Sequence, residues 1–121
     1  MSLSEIIGRK LKEQRTRHGL LQKDISKVLG YRNDAYVSDV ERGVFIPKAD
    51  KLKKWAKALG MSQNEMDSLL ADAKLEDMGL TDPGFTMMFK EVPNMTGEEK
   101  ESVIKSYKRV MKAREAKRKT K

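Results

Sequence analysis

The sequence predicts an all-α fold, with five short helices in an N-terminal unit followed by a helical C-terminal extension. Three observations carry this. Residues 20–43, LLQKDISKVLGYRNDAYVSDVERG, read as two short helices around a tight glycine-marked turn, the second ending in Glu-Arg-Gly. Ser62 with Glu65, and Thr96 with Glu99, are spaced as capping boxes that launch two further helices. Val103, Ile104, Tyr107, Val110 and Met111 form an apolar stripe at 3.6-residue spacing along the last of them.

The first helix is expected over residues 4–17, with Gly19 stopping it and a charged face made by Arg9, Lys10, Lys12, Arg15 and Arg17. The second covers residues 22–29. Ile25, Val28 and Leu29 fall on its apolar face, and Gly30 closes it where a left-handed residue is cheap. The third runs over residues 34–42. Asn33 can cap it, Val37 and Val40 supply its buried stripe, Asp34, Ala35, Ser38 and Asp39 face outward, and Gly43 ends it. Helices this short do not persist alone in water, so both must dock on neighbours. The partners at hand are Leu3, Ile6, Ile7 and Leu11 before them, and Leu52, Trp55, Ala56 and Leu59 after.

Residues 44–47 form a loop whose Phe45 and Ile46 are oddly apolar for an exposed position. Pro47 starts a fourth helix that continues to Leu59 and closes at Gly60. The fifth starts at Ser62, buries Met66, Leu69 and Leu70, and reaches to about Glu76. Beyond it, Gly79, Pro83-Gly84 and Pro93 break the chain around Phe85, Met87, Met88 and Phe89, and a short helix is expected over residues 83–89. The final helix runs from Thr96 through about Arg114 or beyond, with the basic residues from Lys112 onward fraying. The resulting division is a compact unit over 1–72, a connector over 73–96, and a long amphipathic helix with a basic tail over 97–121.

At 121 residues and 38% apolar content there is room for one compact domain and a modest appendage, not for a second enzyme-sized core. The absence of cysteine removes disulfides, thiolate zinc sites and a cysteine nucleophile, and the single His18 cannot build a histidine metal site alone. No paired carboxylates come with a base, a metal cluster or a phosphate-cradling glycine loop, so no enzyme and no cofactor are expected. The first residues, MSLSEIIGRKLKEQR, lack a signal-like apolar core, and no run approaches the roughly 18 to 20 apolar residues of a membrane span. The net charge of +8 is unevenly spread. Residues 1–60 are basic, residues 61–101 hold three Lys against ten Asp and Glu, and the segment from Lys105 is strongly basic. Two basic ends around an acidic middle suggest a DNA-facing unit, an interior connector and a second cationic surface.

Residues 7–70, a little over half the chain, resemble the helix-turn-helix domain of the XRE family, the lambda-repressor and Cro-like regulators. The resemblance rests on IGRKLKEQRTRHGLLQKDISKVLG and SDVERGVFIPKADKLKKWAKALGMS, in which four features follow in order. They are a basic first helix, a Leu-x-Gln opening of the second, a Glu-Arg-Gly close of the third and a Pro-led fourth. Between Gly30 and Glu41 the chain has one residue more than the usual pattern, in the turn around Tyr31 and Arg32. The fold implied is a five-helix lambda-repressor-like DNA-binding domain with a helical extension, located in the cytoplasm and on the nucleoid when bound to DNA.

The resemblance implies that Gln22, at the start of the second helix, bonds a phosphate with help from the helix dipole. It also implies that Asn33, Asp34, Ala35 and Ser38 face the major groove. Asn33 either reads adenine bidentately or caps the helix, and Asp34 either accepts from a cytosine amino group or stabilises the helix dipole. Arg32 and Arg42 are candidate phosphate or base contacts, with Arg42 also placed to close its helix. Lys48, Lys51 and Lys54 lie where backbone contact is plausible, the last two equally as a solvated charged face. Glu41 is expected to tie the motif to Arg15 or another base of the first helix, and Trp55 to be packing.

The function expected is a sequence-specific DNA-binding transcriptional regulator, a repressor that binds paired half-sites of double-stranded DNA as a homodimer. The apolar stripe of the last helix either folds back on the core or packs on a second chain. The second reading is preferred because one such domain covers half an operator. Met87, Met88 and Phe89 form an apolar patch that is core, dimer seam or docking site for a protein effector. The rival function keeps the fold as a protein-interaction module, an antitoxin or partner-binding regulator, that uses Phe45, Ile46, Met87 and Met88. Asp34 is the residue that favours it.

Overall fold

The computed structural model describes residues 1–79 and 94–119, and among these it contains six helices and no strand. They are α1 (Leu3–Arg17), α2 (Gln22–Leu29), α3 (Ala35–Glu41), α4 (Ala49–Ala58), α5 (Gln63–Asp77) and α6 (Gly97–Lys119). The helix expected over residues 83–89 and the Phe85 to Phe89 cluster lie outside the described residues.

Side-chain caps set most of the helix starts. Ser2 Oγ accepts from the Glu5 amide at 3.2 Å while the Glu5 carboxylate accepts from the Ser2 amide at 3.1 Å, a reciprocal box that begins α1 one residue earlier than expected. Ser62 Oγ caps α5 through the Glu65 amide at 3.1 Å. Thr96 and Glu99 exchange both bonds of a box at 3.1 Å each and start α6. Gly30, at φ 85°, ends α2 in the left-handed region, and the Tyr31 amide then reaches back to the Ser26 carbonyl at 2.9 Å.

Other expectations change, among them Leu70, which is only partly buried. Val28 is 46% exposed, and the buried face of α2 is Ile25, Ser26 and Leu29, so the stripe is rotated away from Val28 toward Ser26. α3 is shorter by one residue at each end, with Asp34 and Arg42 as its flanking caps. Pro47 is not the first residue of α4. It is buried just ahead of Lys48, whose extended backbone (φ −68°, ψ 161°) makes it the N-cap, and the Lys51 and Leu52 amides both bond the Lys48 carbonyl at 3.0 Å. The basic residues from Lys112 remain helical to Lys119.

Helices α1 to α5 enclose one core in which Leu11, Ile25, Val37, Val40, Trp55 and Met66 are fully buried. Trp55 Nε1 has no hydrogen-bond partner among the described residues. An unmade bond costs about 1–3 kcal/mol. Burying an indole of 150–250 Å² contributes roughly 4–6 kcal/mol, so packing outweighs it. Where α1 crosses α3 there is no room for a side chain. A Cβ on Gly8 would lie 2.2 Å from the Val40 carbonyl oxygen and 2.8 Å from that of Glu41.

One ion pair is buried in this crossing. Arg15 of α1 holds Glu41 at the end of α3 through Nε–Oε2 at 2.6 Å and Nη2–Oε1 at 3.0 Å, while Arg15 Nη1 donates to the Leu20 carbonyl at 2.9 Å. The two side chains are only 10% and 3% exposed, and the hydrogen bond to Glu41 raises the pKa of Arg15 against the opposing effect of burial.

α6 lies along α5 in the same direction. Ile104 packs with Ala71 and Leu75, Lys100 Nζ is buried and donates to Ser68 Oγ at 2.5 Å and to Asp72 Oδ1 at 2.9 Å, and Lys74 Nζ meets Glu101 Oε1 at 2.8 Å. Of the two readings of the apolar stripe, residues 97–104 follow the one in which it folds back.

Two outcomes follow for stability. Gly8→Ala drives a methyl into backbone oxygen and lowers the unfolding free energy by about 2–3 kcal/mol or more, read from the urea midpoint. A midpoint equal to that of the parent would deny the close crossing. Glu41→Ala leaves Arg15 buried without its partner and costs about 3–5 kcal/mol, whereas Arg15→Leu combined with Glu41→Leu recovers most of it. Unchanged thermal melting of the single variant would sink that account.

Candidate nucleic-acid interface

The Arg15–Glu41 pair also fixes the first residue of α2. Gln22 is half-buried, and its carboxamide nitrogen donates to Glu41 Oε1 at 3.0 Å. One carboxylate therefore joins α1, the start of α2 and the end of α3, and holds the angle between the two helices of the motif. The same bond turns Gln22 inward, so its second N–H is the donor left for a phosphate. Asp24 accepts from the Leu21 amide at 2.7 Å and completes the start of α2.

The turn from Tyr31 to α3 is an irregular bend, and Arg32 and Asn33 are exposed on it. Asn33 Oδ1 accepts from the Ala35 amide at 3.0 Å, so the capping use of Asn33 is the one made here. Asp34 occupies the N-cap position, half-buried, but its side chain makes no cap bond. Ala35 is exposed, Ser38 is half-buried, and Arg42 is exposed and paired with Asp39. Lys48 is exposed at the start of α4. The structure thus gathers Arg32, Asn33, Asp34 and Ala35 at one end of α3. Arg42 lies at its other end, and Gln22 and Lys48 at the starts of the helices on either side.

Sequence reasoning missed an aromatic cluster beside this surface. The rings of Tyr31 and Tyr36 stack with centroids 4.6 Å apart, and Phe45 tilts against Tyr36 at 5.2 Å. Lys51 Nζ sits 4.8 Å from the centroid of the Tyr31 ring. Burial, then the proximity of Tyr31 and Asp50, pushes the Tyr36 phenol above its ordinary pKa. Phe45 is apolar because it packs here, while its neighbours Val44 and Ile46 face solvent. These rings line a hollow of about 430 Å³ with Lys48, Asp50 and Lys51. The available signal was three rings flanking the third helix, at its preceding turn, in its first turn and in the loop after it. The cluster ties the bend that presents Arg32 and Asn33 to α3 and to the start of α4.

The Helix-turn-helix family model matches residues 11–65, inside the stretch whose motifs carried the resemblance. No curated protein matches the chain. The crystal structure of the clp gene regulator ClgR from C. glutamicum shares the fold, with a TM-score of 0.50 and 24% identity, over 69% of this chain and 97% of that one. Among the described residues no helix is long and apolar enough to cross a membrane. Residues 11–65 thus match a helix-turn-helix domain, whose first helix is locked to its third through Arg15 and Glu41.

Proposed function

We propose that this protein is a sequence-specific DNA-binding regulator of transcription that represses by occupying promoters, with two copies on paired half-sites about one helical turn, ~34 Å, apart. The observation that carries the reading is the exposed end of α3, held in place by the Arg15–Glu41–Gln22 network within a helix-turn-helix domain. In this reading residues 1–72 bind the duplex and residues 73–96 connect them to the last helix. Ala35 and Ser38 meet base edges, as does Asn33 through the carboxamide N–H groups that its cap bond leaves available, with the Ala35 methyl suited to a thymine methyl and Asp34 to a cytosine amino group. Gln22, Arg32, Arg42 and Lys48 bind phosphates and fix the register. Direct contact between the two copies is not required, because two half-sites on one face of the duplex bring them together.

A second reading, binding to a protein partner through the same fold, is favoured by two features. Asp34 presents a carboxylate that makes no cap bond where phosphates approach, and Val44 and Ile46 are 62% and 43% exposed in the loop after α3.

Selection from random duplexes, followed by titration over a salt series, separates the readings. The parent is expected to prefer the selected site to random sequence at every salt concentration. Asn33→Ala is expected to lose roughly tenfold or more on the selected site and little on random sequence, whereas Lys48→Ala weakens both alike. Sedimentation of the complex is expected to show two copies per duplex. Equal affinity of the parent for both duplexes throughout would overturn the sequence-specific reading, and one copy bound at full affinity would remove the paired site.

A further inference from the structure

The last seventeen residues carry the densest positive charge of the chain. Residues 105–121 hold nine Lys and Arg against a single acid, Glu115, while residues 1–104 hold seventeen of each sign. Ile104 is the last residue of α6 whose side chain is buried among those described. Beyond it the helix continues for about four turns, roughly 22 Å, to Lys119. Lys105, Lys108, Arg109 and Lys112 are exposed, and they recur at three- and four-residue steps that place them on one helical face. None of these four forms an ion pair among the described residues. Lys105 with Arg109, and Lys108 with Lys112, are like charges four residues apart, an arrangement that repels unless something anionic lies against it.

Three occupants fit a projecting cationic helix unequally. A second copy laid against this cationic face would set like charge against like charge well within the Debye length of about 8 Å. An anionic membrane surface needs an extended apolar face to insert, yet beyond Ile104 the sequence offers only Tyr107, Val110 and Met111, and from Lys112 onward only Ala113 and Ala116. Duplex DNA needs only closely spaced cations. The sequence of the segment carries about one per 2.8 Å of helix axis, against one phosphate charge per about 1.7 Å of duplex. The base of the projection is fixed to the DNA-binding domain by Lys100 on Ser68 and Asp72, by Lys74 on Glu101 and by Ile104 on Ala71 and Leu75. A domain seated on DNA therefore holds this segment at high effective concentration near the same polyanion.

We infer that α6 from Lys105 onward is a second DNA-binding element, which contacts backbone phosphates without regard to sequence and adds affinity while α3 supplies selection. The inference rests on the DNA-binding reading above and adds a separate surface to it.

The test compares the full chain with a variant carrying Lys105→Gln, Lys108→Gln, Arg109→Gln and Lys112→Gln, on the selected duplex and on random duplex, over 50 to 300 mM salt. All four side chains are exposed, so the thermal melting of the variant is expected to match the parent. Each lost phosphate contact flattens the plot of log affinity against log salt by ~0.9, so the slope is expected to fall by about 2 to 4. At the low-salt end affinity is expected to drop at least tenfold on both duplexes by a common factor. A variant with Lys105→Arg, Lys108→Arg and Lys112→Arg is expected to keep the parent slope. Unchanged slopes, loss on one duplex only, conversion of a dimer to monomer, or preferential capture of the parent by phosphatidylserine vesicles over duplex would each overturn the inference. A parent that fails to discriminate sequence, with a slope that still flattens in the variant, would overturn the proposed selectivity and leave this element standing. Binding of the parent to neither duplex would overturn both.

Discussion

A single buried carboxylate organises the helix-turn-helix part of this molecule. Glu41 takes both forks of Arg15 and the carboxamide of Gln22, so α1, α2 and α3 meet at one charge. A pair this dry is weak evidence for net stability, because desolvation of both ions offsets most of their attraction. Its value is geometric. Apolar packing of Val37 and Val40 tolerates small sliding of α3, whereas a bidentate guanidinium does not. The pair therefore turns a set of loosely specified helical contacts into one relative placement of α2 and α3.

Backbone proximity reinforces that placement. Gly8 lets α1 approach the last turn of α3 to within contact of its carbonyls, and Gly43, at φ 83°, allows the chain to leave α3 beside Glu5. The Ser4 hydroxyl closes the same corner by donating to the Gly43 carbonyl at 2.8 Å. The surface offered to a ligand is thereby built on a rigid seam of backbone, with the adaptable residues Arg32 and Asn33 carried on the bend at its far end. The stacked tyrosines then limit how far that bend can wander.

Much of this was legible in the sequence where a feature acts over three or four residues. Gly30, Ser62 and Thr96 mark helix ends by local hydrogen bonding and local backbone strain, and those ends fall where expected. Arg15 with Glu41 was legible through the family resemblance, since a charged residue closing the third helix needs a base from the first. The misses came from tertiary context. Whether Val28 or Ser26 is buried depends on which way α2 is rolled against α3 and α4, and both choices satisfy a helical period. Pro47 could begin a helix by its own geometry, but the chain must first turn at Lys48. Tyr31, Tyr36 and Phe45 come from a turn, a helix and a loop, and nothing local announces that their rings meet. Lys100 reads as a solvated lysine until α6 is laid on α5 and Asp72 and Ser68 receive it.

The seam between α5 and α6 has a consequence for direction. It contains few apolar residues, and such contacts would accept several registers. Two lysine–carboxylate links pointing opposite ways, Lys100 to Asp72 and Lys74 to Glu101, select one of them. Since each residue of a helix advances the side-chain direction by about 100°, that register also sets the azimuth at which every residue beyond Ile104 leaves the body. One residue inserted after Ile104 would turn the projecting face by more than a quarter circle, whereas four would nearly restore it and only lengthen the arm. The lysine buried at residue 100 acts in effect as the angular zero of a lever.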